Sequence, residues 1–136
     1  MADFSMPEGR MYIDGEFFDA RSGATFDNVN PATEEVLSTY NVMSEAEALR
    51  AVEATHEAFK DWRKLSHDER APYLKKIAEK LRDNKEELAE LMTREVGKLY
   101  QDSLDEVDLC AAIFDWTAGA GPEKLKDETR ELMDGK

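Results

Sequence analysis

The chain has little of what a secreted or membrane protein needs. It contains one cysteine, Cys110, in 136 residues, so an intramolecular disulfide is impossible. It has no run of about 18 apolar residues, the length that spans a bilayer. The first ten residues are polar and lack the apolar core of a signal peptide. We therefore expect a protein of a reducing compartment, with the cytoplasm as its location.

Positive charge is also scarce. The chain has 18 Lys and Arg against 31 Asp and Glu, which gives a formal net charge of −13. A surface this acidic repels the phosphates of nucleic acids and anionic lipid headgroups. We expect no nucleic acid and no membrane among its partners. The polar faces of its predicted helices are acidic, whereas helices that bind membrane surfaces usually have basic ones.

Prolines and glycines are few, and their positions divide the chain into two halves. Residues 1–43 contain turn signals between short alternating stretches, which predict antiparallel hairpins. Asp14-Gly15 separates the predicted strands 11–13 and 16–18 and is typical of a two-residue hairpin turn. Strands are further predicted at 24–28 and 34–41, on either side of a turn at 30–33.

From Ser44 onward the apolar spacing becomes helical. Ser44 with Glu47, and Ser66 with Glu69, form two capping boxes that predict helix starts. Asn84 with Glu87 indicates a local irregularity or a fresh helix start, and Gly97 a left-handed helix end. The apolar stripes of the three predicted helices are Leu49, Val52, Phe59 and Trp62; Tyr73, Leu74, Ile77 and Leu81, continued by Leu88, Leu91 and Met92; and Leu104, Val107, Ala111 and Phe114.

The third predicted helix ends at residues 119–122, where two glycines and a proline follow one another. A charged tail follows at 123–136. The fold class we predict is α+β, with N-terminal antiparallel β-hairpins followed by about three amphipathic helices. Its predicted parts are a hairpin segment at 1–43, a helical segment at 44–122 and the tail at 123–136.

No side chain stands out as a catalyst. Cys110 lies between apolar residues in a predicted helix, near Asp108 and without an adjacent base, so we interpret it as a small buried hydrophobe rather than a nucleophile. His56 and His67 lie on different helices and lack metal-ligand spacing. We interpret both as surface or boundary residues.

The remaining charged residues have the spacing that is typical of a solvent-exposed helix face. Acids and bases alternate at three- and four-residue spacings from 85 to 98, which predicts a solvated, ion-paired face made by Glu86, Glu87, Glu90 and Glu95 with Lys85, Arg94 and Lys98. Gly119-Ala120-Gly121 lacks the third glycine of a dinucleotide loop and follows a helix. Gly97-Lys98 is followed by Leu99 and lacks a phosphate-loop pattern. We therefore assign no catalytic, cofactor-binding or metal-binding residue from the sequence.

The order of the motifs resembles the amino-terminal portion of the aldehyde dehydrogenase superfamily, with the semialdehyde-oxidising branches nearest. The resemblance covers about residues 10–120. Two departures are Val96, where the family usually has Thr or Met, and Leu99, where it usually has Pro. The residues that carry the resemblance are Met11-Tyr12-Ile13-Asp14-Gly15-Glu16-Phe17, Phe26, Asn28, Asn30-Pro31-Ala32-Thr33-Glu34-Glu35-Val36, Ala51-Val52-Glu53-Ala54, Ala58-Phe59, Trp62, Ser66, Glu69-Arg70-Ala71, Glu86-Glu87-Leu88-Ala89-Glu90-Leu91, Arg94-Glu95-Val96-Gly97-Lys98 and Phe114-Asp115-Trp116.

This resemblance implies a part of the larger α/β aldehyde dehydrogenase fold. In that family a cysteine attacks the aldehyde, hydride passes to NAD or NADP, and a glutamate-activated water releases the acid. An asparagine side chain and a backbone amide stabilise the oxyanion. The resemblance places all of these groups beyond residue 136, and Cys110 does not match the family nucleophile. We expect no cofactor to be held by this chain alone.

Two functions follow from these observations. In the first, the chain is the amino-terminal part of an aldehyde dehydrogenase and a scaffold without the catalytic residues, whose apolar helix faces meet the remainder of such an enzyme or associate with themselves. In the second, it is a free-standing acidic helical module that binds a protein partner and has no enzymatic activity.

Overall fold

Two antiparallel hairpins precede four helices in the part of the chain that the computed structural model describes, which is Met6 and residues 9–127. The predicted α+β class is confirmed, and helices number four rather than about three. The strands are β1 (Met11–Ile13), β2 (Glu16–Phe18), β3 (Thr25–Val29) and β4 (Val36–Asn41). The helices are α1 (Glu45–Trp62), α2 (His67–Asp83), α3 (Lys85–Val96) and α4 (Tyr100–Lys124). Residues 128–136 of the predicted tail lie outside the described residues.

The first hairpin forms where Asp-Gly predicts it. Asp14 and Gly15 have φ values of 53° and 83°, the two positive angles that this two-residue turn requires. Ile13 therefore pairs with Glu16, and the Tyr12 and Phe17 rings contact each other across the strands at a tilt of 57°, with their centroids 4.9 Å apart. The hairpin lies beside α1: the Arg50 guanidinium of α1 lies over the Phe18 ring of β2, 4.7 Å from its centroid. After the hairpin, the Arg21 amide donates to Glu47 Oε1 at 3.1 Å.

The second hairpin turns over residues 30–35. Asn30 Oδ1 accepts from the Ala32 amide at 2.9 Å, and the Glu34 amide donates to the Asn30 carbonyl at 2.8 Å. Glu34 has a φ of 61°, a left-handed conformation that a strand cannot contain. The predicted start of β4 at Glu34 was therefore wrong, and pairing with β3 begins at Val36.

Both predicted capping boxes are present. The Ser44 hydroxyl accepts from the Glu47 amide at 3.3 Å, while Glu47 Oε2 accepts from the Ser44 amide at 2.9 Å. Ser66 and Glu69 repeat this exchange at the start of α2. Each box satisfies two of the backbone amides that a helix start leaves without partners.

Asn84 separates α2 from α3, as its irregular position in the pattern predicted. Its side chain does not cap α3 together with Glu87. The Asn84 amide group instead donates to the Lys80 carbonyl at 2.8 Å and closes the end of α2. Gly97 then ends α3 with a φ of 74°, which confirms the predicted left-handed stop.

The predicted end of the last helix was wrong. Gly119, Gly121 and Pro122 lie inside α4, which continues to Lys124. Ala118 and Gly121 are buried, and α4 packs along its length against α2 and α3. This packing offsets the weak helix propensity of glycine and the one hydrogen bond that Pro122 cannot make.

Small side chains form the core between α2, α3 and α4. Ala78, Ala89 and Ala111 are completely buried, which lets the three helices approach closely. Ser103 is also completely buried, and its hydroxyl lies 3.2 Å from both the Leu99 carbonyl and Thr93 Oγ1. The buried hydroxyl thus has the hydrogen-bond partners that its position demands.

None of the residues of α1 is buried, in contrast with the other three helices. The predicted stripe is present, but Leu49, Val52 and Phe59 are all more than half exposed. Within residues 9–127, none of the helices has the length and hydropathy that crossing a bilayer would need.

Candidate functional site

The polar side chains that the sequence offered as candidate site residues do not lie close together in the structure. His56 is exposed on α1 beside Phe59, and His67 is exposed at the first position of α2, so their predicted surface positions are confirmed. Across the described part of the chain, no three His, Cys, Asp or Glu side chains are arranged to hold a metal ion.

Cys110 is exposed, so its interpretation as a buried hydrophobe was wrong. The buried face of α4 runs through Val107, Ala111 and Ala118. Cys110 lies one residue before Ala111, about 100° around the helix from it, and therefore falls outside that face. Sequence periodicity could not decide this, because apolar residues occur on all sides of α4.

The charged stretch from 85 to 98 pairs partly within α3 and partly with other elements. Arg94 and Glu90 form the expected ion pair along α3 at 2.8 Å. Lys85, however, contacts Asp108 of α4 at 2.5 Å, and Glu95 accepts from Asn28 of β3 at 2.5 Å. These bonds join elements and leave no arrangement of paired carboxylates for acid–base chemistry. The remaining members of the stretch also divide this way: Lys98 pairs with Glu106 of α4, and Glu86 and Glu87 are exposed in the first turn of α3.

The glycines of α4 do not suit a dinucleotide. A phosphate cradle needs free backbone amides in a loop between a strand and a helix. Gly119 and Gly121 lie within a helix, where backbone amides bond to carbonyls four residues earlier. Gly119 and Gly121 therefore offer no phosphate cradle for NAD or NADP.

What the structure does display is uncovered apolar surface. On α4, Leu109, Ile113 and Trp116 recur at four- and three-residue spacing and are 60%, 55% and 60% exposed. These three residues are called the outer stripe below. A soluble monomer rarely leaves so many large apolar side chains aligned in water.

Open apolar grooves extend this surface along the other helices. A groove of about 600 Å³ lies along α2 and α3 and includes Tyr73, Ile77 and Leu88. A second, of about 480 Å³, runs along α1 beside Phe59 and Trp62. Their linings are apolar and open to solvent, which fits a packing surface better than an enclosed substrate pocket.

The sequence matches the aldehyde dehydrogenase family over residues 17–136. The chain belongs to the aldehyde dehydrogenase family. It is 38% identical over 111 residues to 3,6-anhydro-alpha-L-galactose dehydrogenase of Vibrio sp. (strain EJY3), covering 82% of this chain and 23% of the relative. It is 37% identical over 118 residues to glutarate-semialdehyde dehydrogenase of Pseudomonas putida, covering 87% and 25%.

Solved aldehyde dehydrogenase structures place the same fold within larger chains. HpcC of Thermus thermophilus superposes with a TM-score of 0.83 at 32% identity, over 96% of this chain and 25% of HpcC. Betaine aldehyde dehydrogenase of Staphylococcus aureus, in complex with NAD+, superposes with a TM-score of 0.79 at 29% identity, over 93% and 25%. The chain thus spans about a quarter of the length of these aldehyde dehydrogenases. The 136 residues do not contain most of the family fold, and the apolar faces of α1 and α4 are uncovered.

Proposed function

We propose that this chain is the amino-terminal part of an NAD(P)-dependent aldehyde dehydrogenase and serves as scaffold for it. In this proposal the full enzyme oxidises an aldehyde or semialdehyde to the carboxylic acid, in the cytoplasm. NAD or NADP and the catalytic residues belong to the remainder. The observation that carries the proposal is the outer stripe of α4, together with the exposed stripe of α1, in a chain that spans a quarter of its relatives.

A semialdehyde is the substrate class that the relatives favour for the full enzyme. Proteins named for glutarate, succinate and malonate semialdehyde match at 37%, 38% and 42% identity. Since these matches cover 22–25% of each relative, they concern the scaffold and bear on the substrate only through family membership.

The segments keep the division inferred from sequence. We propose 1–43 as a peripheral hairpin segment, 44–122 as the helical segment of the cofactor-binding domain, and 123–136 as a charged tail. The exposed stripe of α1 and the outer stripe of α4 would then contact the remainder of the enzyme, which makes that remainder the principal partner.

An activity assay tests the scaffold role. We expect the purified chain to reduce neither NAD nor NADP with a panel of aldehydes that includes glutarate and succinate semialdehyde. The full-length Pseudomonas putida relative is the positive control. Turnover that a thiol reagent blocks and that Cys110→Ser abolishes would contradict the proposal, because it would make Cys110 a nucleophile.

A binding experiment separates the two functions. We expect the chain to bind a Pseudomonas putida glutarate-semialdehyde dehydrogenase that lacks the equivalent segment, and to self-associate or bind an apolar dye when alone. Leu109→Asp and Ile113→Asp should weaken both, while Asp102→Asn, near the start of the same helix, should not. A compact monomer in sedimentation, without dye binding, would favour the free-standing acidic module instead.

A further inference from the structure

Helix α4 carries apolar side chains on two faces. Its inward face combines the buried Ser103, Val107, Ala111, Ala118 and Gly121 with the half-buried Leu104 and Phe114. The outer stripe points into water. Because large apolar side chains occur on both faces, hydrophobic burial by itself does not decide which rotation of α4 is preferred.

Ion pairs lie on both sides of the buried face. At about 100° per residue, Asp108 and Asp115 fall on one rim of α4, and Glu106 falls on the opposite rim. Asp108 contacts Lys85 and Asp115 contacts Arg82, each at 2.5 Å, while Glu106 contacts Lys98. All three bases belong to α2, to α3 or to the residues between α3 and α4, so every pair joins α4 to its neighbours.

We propose that these three ion pairs fix the rotation of α4 about its axis and so hold the outer stripe outward. A rotation that buried Leu109 and Ile113 would carry the rim acids away from their bases and break the pairs together. Glu106, Asp108 and Asp115 are thus positioning residues for the exposed apolar face. The proposal concerns the orientation of one helix and holds whether or not the chain is part of an oxidising enzyme.

The fluorescence of Trp116 reports the rotation directly. The chain has two tryptophans, so a Trp62→Phe background leaves Trp116 as the only emitter. With its side chain 60% exposed, Trp116 should emit at long wavelength and be quenched readily by acrylamide. The double reversal Asp108→Lys/Asp115→Lys should move the emission to shorter wavelength and lower the quenching constant, because repulsion from Lys85 and Arg82 releases α4.

Restoring the pairs with exchanged charges should restore the signal. Adding Lys85→Asp and Arg82→Asp to the double reversal recreates both contacts, and Trp116 should regain its long-wavelength emission. The matched control is Glu57→Lys/Asp61→Lys, which changes the charge equally but disrupts pairs with Lys60 of α1 and with Lys64 just after α1. This control should leave Trp116 unchanged.

Each outcome decides the question. An unaltered Trp116 signal in the double reversal would overturn the proposal and assign the rotation to the packing of the inward face of α4. If the double reversal unfolds the chain, recovery of helical circular dichroism in the fourfold exchange supports the proposal, and failure to recover overturns it. In the native chain, the Lys85–Asp108 coupling in a double-mutant cycle should reach up to about fivefold in the unfolding equilibrium constant, as exposed pairs do.

Discussion

At the scale of single residues, two glycines that both have a positive φ angle differ in their surroundings. Gly15 and Gly97 have φ values of 83° and 74°. A Cβ added at Gly15 would meet no atom within 4 Å, whereas one added at Gly97 would lie 2.9 Å from Pro31 Cγ. Gly97 thus ends α3 and also admits the turn of the second hairpin.

These surroundings predict different costs of substitution. Gly15→Ala should lower the free energy of unfolding by roughly 1–2 kcal/mol, the cost of a left-handed non-glycine residue. Gly97→Ala should lower it further, because Pro31 must also move. Urea unfolding followed by circular dichroism measures both, and equal losses would show that the contact with Pro31 contributes nothing.

Among the candidate site residues that the sequence offered, Cys110 is the one whose interpretation the structure changed most. His56 and His67 are exposed, as their helical contexts indicated. Cys110 is exposed because Ser103, Val107 and Ala111 face the neighbouring helices instead. Apolar residues occur on every side of α4, so only the packing partners of this helix determine which side is buried.

At the scale of elements, the buried face of α4 predicts how two adjacent alanines respond to enlargement. Ala111 is completely buried and Ala112 is exposed. Ala111→Leu should cost about 1–3 kcal/mol through overpacking between the helices. Ala112→Leu should stay within about 0.5 kcal/mol of the parent. The two unfolding midpoints check this, and a reversed order would mean that α4 is rotated in solution.

The two capping boxes predict an acid sensitivity. Hydrogen bonds from the Ser44 amide and hydroxyl lower the pKa of Glu47 below its ordinary 4.5, and the Arg21 amide lowers it further. The Ser66 amide and hydroxyl lower the pKa of Glu69 in the same way. Because the folded-state pKa is the lower one, the stabilisation is present above pH 4.5 and is lost as pH falls through the folded-state pKa.

Glu47→Gln/Glu69→Gln should therefore flatten the decline in stability at acid pH, while lowering stability at neutral pH. Glu53→Gln, on α1 outside its first turn, is the control and should keep the parent profile. Thermal unfolding across pH 3 to 7 measures the profiles. A double variant whose acid decline matches that of the parent would rule out this role for the caps.

At the scale of the whole molecule, salt changes the stability of the fold in opposite directions through the net charge and through the ion pairs. The net charge of −13 destabilises a compact chain through self-repulsion, and salt screens that repulsion. Salt also weakens the exposed ion pairs, each worth about 0.2–1 kcal/mol. We expect the repulsion to dominate, so the urea midpoint should rise between roughly 0.05 M and about 0.5 M NaCl. A falling midpoint would show that the ion pairs outweigh the net charge.

Exposed apolar surface is the second property of the whole molecule. The stripe of α1 and the outer stripe of α4 lie on different helices, and α2 and α3 contribute a groove of their own. Amphipathic spacing identified the stripe of α1 but could not show that it stays uncovered. Which face stays uncovered depends on which elements are available to pack against it.

The sequence alone determined the features that depend on neighbouring residues. Ser44 and Ser66 cap helices, Asp14-Gly15 turns a hairpin and Gly97 stops a helix, because each acts through backbone groups a few residues away. Only the tertiary structure decided that α4 continues through Pro122, that Cys110 is exposed and that Lys85 and Lys98 pair with another helix. Those outcomes depend on contacts between residues distant along the chain, whose free energies outweigh local propensity.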